Sequence, residues 1–115
     1  MGSVLYDKSF VYAVDTAKLS RELTKRHVYV LADQLLRSSA SVGANIAEAQ
    51  YAQSDPDFVS KLSITLKEAS ESKYWLKLLA AISEISDSEA QRLTAQADEL
   101  LKMLTASIKT KKEKM

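Results

Sequence analysis

A chain of 115 residues with only two glycines and one proline has few places to turn tightly. A sandwich or barrel needs a turn signal about every 8 to 12 residues, so this scarcity points instead to long helices joined by short polar turns. The fold class read from the sequence is therefore all-α, an antiparallel up-down-up-down four-helix bundle. The length fits a single domain spanning residues 1–115, with one core.

Apolar periodicity predicts helices over about 5–27, 31–52, 56–84 and 87–111. In the first, Phe10, Ala13, Val14, Ala17 and Thr24 form one stripe, and Leu5, Tyr12, Leu19 and Leu23 form another. Two stripes are more apolar surface than a single bundle core needs. Lys25, Arg26 and His27 close this helix, where cations complement the macrodipole. Val28, Tyr29 and Val30 read as the connection to the second helix. Asp55 followed by Pro56 reads as the cap and first turn of the third helix. Ser86 with Glu89 three positions later has the capping-box spacing that opens the fourth.

Gln34 to Glu48 is crowded with small and polar residues that are individually poor helix formers. Gln34, Ser38, Ser41, Asn45 and Glu48 share a face by three- and four-residue steps, with Arg37 beside them. If the chain reverses near Gln53 and Ser54, Arg37 falls opposite Glu68 and Glu71, and Asn45 and Glu48 fall opposite Lys61. These nine residues are expected to form a polar seam that sets helix register. The bland alternative is a solvated face with incidental pairs, each contributing about 0 to 1 kcal/mol.

The run QLLRSSASVGANIAEA is followed by Ser54, Asp57-Phe58, Lys61, Ile64, the block Lys67-Glu68-Ala69 to Glu71, Trp75-Leu76 and Leu78-Leu79. Together these resemble the bacterial four helix bundle proteins labelled 23S ribosomal RNA intervening-sequence or S23-type proteins, over about Phe10 to Leu104. Ser39 and Ala40 depart from the glycine and threonine expected there, but both stay small. The resemblance implies a left-handed bundle, a ring-shaped homopentamer and no enzymatic activity. A related group, the accessory proteins of diversity-generating retroelements, binds nucleic acid and a reverse transcriptase through a strongly basic surface.

Lys and Arg total 16 against 15 for Asp and Glu, so no whole-molecule field draws the chain to nucleic acid. Candidate contacts are Arg21, Lys25 and Arg26, near His27, and the tail lysines Lys109, Lys111 and Lys112; the topology puts the two clusters at opposite ends. Repeated around a ring, either becomes a multivalent positive rim, so weak, salt-sensitive RNA binding is the leading expectation. The alternative is a protein-interaction scaffold with no nucleic acid of its own. It rests on surplus apolar surface, with Tyr12, Tyr74 and Trp75 as candidate oligomer-interface residues.

An enzyme is disfavoured. A dinuclear carboxylate site in a bundle needs two Glu-x-x-His motifs, and the sole histidine, His27, follows Thr24 at that spacing. There is no cysteine and no glycine-rich phosphate loop, and neither a metal nor a cofactor is expected. No apolar run approaches the roughly 20 residues of a membrane span, which makes the cytoplasm the expected location and excludes a membrane partner.

Overall fold

The structure, a computed structural model, describes residues 4–115. It contains four helices: α1 (Val4–Lys25), α2 (Tyr29–Ala49), α3 (Asp55–Ala81) and α4 (Asp87–Lys114). Each packs on its neighbour in sequence, and α4 returns to α1 along the sparsest of the four edges. That is the antiparallel up-down-up-down arrangement, in a rod of 47 × 20 × 19 Å.

Chain chemistry at the helix ends sets the boundaries. After α1, the Val28 N–H donates to the Leu23 carbonyl at 2.9 Å and the His27 N–H to Thr24 at 3.0 Å, with His27 at φ 67°. This is a Schellman closure built on histidine instead of glycine. It turns the chain so sharply that only Arg26, His27 and Val28 connect α1 to α2, and Tyr29 and Val30, expected in the connection, form the first helical turn. α3 ends the same way: Glu84 N–H reaches Leu79, Ser83 N–H reaches Ala80, and Ser83 has φ 63°.

Ser54, and not Asp55, caps α3. Its hydroxyl accepts from the Asp57 N–H at 3.2 Å, while the Asp57 carboxylate accepts from the Gln53 N–H at 3.0 Å. A serine with an acid three positions later outcompetes the expected aspartate cap. Ser86 caps α4, accepting from the Glu89 N–H at 3.0 Å.

Of the two stripes on α1, only one enters the core. Leu5, Tyr12, Leu19 and Leu23 are buried, together with Ser9, Thr16 and Ser20. Phe10 stays 57% exposed and Thr24 is exposed, while Ala13, Val14 and Ala17 are half-buried. Leu35, Val42 and Ile46 of α2, Leu62, Leu76 and Leu79 of α3, and Leu93, Leu100 and Leu104 of α4 complete the core. Each such side chain stabilises the fold by about 1.5–3 kcal/mol when fully buried.

Hydroxyls interrupt this core in a defined way. The Tyr12 hydroxyl lies 2.7 Å from Ser72 Oγ, and Thr16 donates to Ser39 Oγ at 2.8 Å. Ser39 in turn bonds to the Leu35 carbonyl of its own helix at 2.7 Å. The small residues of α2 thus divide. Ser38 and Ser39 are buried and Gly43 faces Ser9 of α1, while Ala40 and Ala44 lie on the surface.

Candidate functional site: polar seam, basic ends and exposed apolar stripe

The seam forms around Arg37. One guanidinium nitrogen reaches Glu68 Oε2 at 3.1 Å and another pairs with Glu71 Oε2; Gln34 Oε1 accepts from the same guanidinium at 3.1 and 3.3 Å. Glu71 also accepts from the Trp75 indole N–H at 2.8 Å, so its carboxylate ties α2 to α3 and to the tryptophan. Nearer the α2–α3 turn, Lys61 meets Glu48 at 3.3 Å.

The hydroxyl and amide members behave differently from the expectation. Ser38 donates to the Gln34 carbonyl at 2.8 Å, Ser41 to Arg37 at 2.8 Å, and Asn45 to Ser41 at 2.9 Å. All three bond back onto their own helix, the usual outlet for such side chains within a helix. Asn45 therefore gains no partner on α3. The Arg37 side chain is 50% exposed, so its ion pairs lie at an edge of the bundle, while Ser38 of the same face is buried.

The basic clusters do lie at opposite ends, and several of their members are engaged. Lys25 pairs with Glu22 at 3.5 Å. Arg26 donates to the Glu84 carbonyl at 2.7 Å and lies 3.6 Å from the Glu84 carboxylate, clamping the α1 closure to the α3–α4 connection. Lys111 pairs with Asp55 at 3.5 Å and sits 4.9 Å above the Phe58 ring. Among the described residues Arg21, Lys109 and Lys112 make no ion pair. Beside the first cluster, the α2 N-terminus has neither a side-chain cap nor an acid in its first turn, and His27 Nδ1 is 2.6 Å from the Tyr29 hydroxyl.

Of the three expected interface aromatics, Tyr12 is corrected. It is fully buried, and its hydroxyl needs the Ser72 partner inside the protomer. Burial pushes its pKa up to about 12, with the Ser72 hydrogen bond opposing and the charge on Asp98 adding to the rise. Tyr74 is 58% exposed and packs edge-on against half-buried Trp75 at 5.1 Å.

Two features escaped the sequence reading. Asp15 accepts from Arg92 at 3.2 Å and Gln96 at 3.0 Å, bridging α1 to α4 beside a cleft of about 330 Å³ that Lys18, Glu89 and Arg92 line. Polar partners 77 and 81 positions apart leave no local signal. The other is an exposed stripe on α1 containing Val4, Phe10 and Val11. Of its members only Phe10 belongs to either stripe read from the sequence.

Among the described residues no three His, Asp or Glu side chains come together to hold a metal ion, and no helix is long and apolar enough to cross a membrane. Residues 3–106 match the family model described as 23S rRNA-intervening sequence protein. A crystal structure of a protein with unknown function from the S23 ribosomal protein family of Bacteroides thetaiotaomicron is similar at 41% identity and a TM-score of 0.90. The match covers 92% of this chain and 99% of that one. No curated protein matches the chain.

Proposed function

The chain belongs to the 23S rRNA-intervening sequence protein family, and from that premise we propose that it is a non-enzymatic, self-associating bundle that binds nucleic acid backbones weakly. The observation that carries the reading is the apolar stripe on α1, where Val4, Phe10 and Val11 stay more than half exposed although one bundle core is already filled. Covering such a stripe with a second copy is the least costly use of it. Assembly, as a ring or otherwise, repeats Arg21, which has no ion-pair partner among the described residues, so that contacts too weak alone act together. The single histidine is bonded to Tyr29 and, among the described residues, makes no hydrogen bond to a serine or carboxylate, which supports a role without nucleophilic chemistry.

The test is retention of RNA by the oligomer across a salt series. Electrostatic binding is lost steeply as salt rises, with a slope that counts the phosphates contacted. Retention that does not change with salt would contradict it.

A scaffold that binds protein and no nucleic acid is the second reading. It is favoured by the carboxylates that engage Lys25, Arg26 and Lys111. No RNA retention even at low salt, by an oligomer of intact helicity, would decide for it.

A further inference from the structure

Two patches in the half of the bundle that holds the α2–α3 turn complement each other. On the outer side of α1, Val4, Asp7 and Val11 follow three- and four-residue steps with Phe10 alongside. The three apolar side chains are 59%, 54% and 57% exposed in the order Val4, Val11, Phe10. Asp7 makes no ion pair among the described residues. Between α3 and α4 runs a cleft of about 430 Å³ with Leu66, Thr105 and Ile108 along it and Lys109, Lys112 and Glu113 at its edge. Leu66 and Ile108 are half-buried, and the two lysines have no ion pair.

We propose that these patches are the two halves of one contact, in which the outer face of α1 of one copy lies in the α3–α4 cleft of a second copy. Asp7 meets Lys109 and Lys112, while Val11 and Phe10 cover Leu66 and Ile108. The inference rests on the reading that the protein self-associates, and it says which surfaces do so.

Charge selects this occupant. Docking α1 on α1 sets Asp7 against Asp7, and docking cleft on cleft sets Lys109, Lys112 and Glu113, a net positive group, against its own copy, so both symmetric pairings oppose like net charge. The head-to-tail pairing sets the net negative patch against the net positive one over apolar floors, a heterologous contact that extends to a ring or an open chain. A nucleic acid backbone would use the lysines but leave Leu66 and Ile108 uncovered. The contact withdraws Lys109 and Lys112 from the nucleic-acid rim and leaves that role to the end with Arg21 and the uncapped start of α2.

The experiment is light scattering and sedimentation of the full chain as wild type, as Asp7→Lys, as Lys109→Glu with Lys112→Glu, and as all three changes combined. Far-UV circular dichroism confirms helicity for each. Each reversal is expected to weaken association by about tenfold or more, and the combination to recover most of it. Val11→Arg, which leaves every acidic and basic partner in place, is expected to weaken association as well. A wild-type oligomer that neither reversal disturbs, or a combination no better than its parts, overturns this contact and leaves self-association standing. A wild-type monomer overturns both.

Discussion

Tyr12 and Ser72 meet hydroxyl to hydroxyl at 2.7 Å across the diagonal of the bundle, although α1 and α3 are not packing neighbours. Among the described residues, every other side-chain hydrogen bond from one helix to another joins helices that share an edge of the bundle. The pair therefore ties together one of the two diagonal helix pairs that the packing alone leaves apart.

Tyr12→Phe should cost about 1 kcal/mol, because Ser72 keeps its bond to the Ala69 carbonyl at 2.8 Å. Tyr12→Ala should cost about 3–5 kcal/mol through the cavity it leaves. Urea unfolding of the two variants checks both.

The same tyrosine predicts alkaline behaviour. Its pKa in the fold, pushed up to about 12, exceeds the ordinary value of 10.0 that the unfolded chain regains. The unfolded state thus loses the proton first. The stabilisation is complete below pH 10.0 and is lost as pH rises towards about 12, on the order of 2 kcal/mol in all. Unfolding free energies across that window should fall less steeply in Tyr12→Phe than in wild type.

Arg37→Ala should cost about 1 kcal/mol, the value of an edge pair, and not the roughly 3–5 kcal/mol of a broken buried one. Half the Arg37 side chain remains in water, and Glu71 retains the Trp75 indole. A double-mutant cycle with Glu71→Gln measures the coupling directly.

His27→Gly and Ser83→Gly should each stabilise the fold by about 0.5–1 kcal/mol, since glycine meets no steric penalty at φ 67° and 63°. The readout is a rise in the thermal midpoint. Ala in place of Ser83 should give no such gain.

Arg26 and Arg21 should separate stability from binding. Arg26→Ala removes the clamp on the Glu84 carbonyl and should lower stability by about 1–2 kcal/mol with little change in RNA retention. Arg21→Ala should leave the melt unchanged and weaken retention at low salt. Both are read from one preparation each, by calorimetry and filter binding.

The helix count and the Arg37–Glu68–Glu71 and Lys61–Glu48 pairings were legible because period and hairpin register are local arithmetic once the turn near Gln53 is placed. The α1–α2 connection was misjudged because β-branched Val28 and Val30 and aromatic Tyr29 look unhelical, while the device that shortens it is a left-handed histidine with no signature in the sequence. Asn45 and Ser41 share the seam face but not its partners, because each donates to a backbone carbonyl one turn back on its own helix. Tyr12 reads as surplus apolar surface in the sequence, and Ser72, the hydroxyl partner that meets it inside the core, lies 60 residues on.

Self-association is the claim on which the multivalent rim and the α1–cleft contact both depend. Light scattering of the purified protein coupled to size exclusion tests it most directly. The expected result is a mass that is a whole multiple of the 12.7 kDa protomer and falls when Val11 becomes arginine. A single species at 12.7 kDa at every concentration would contradict it.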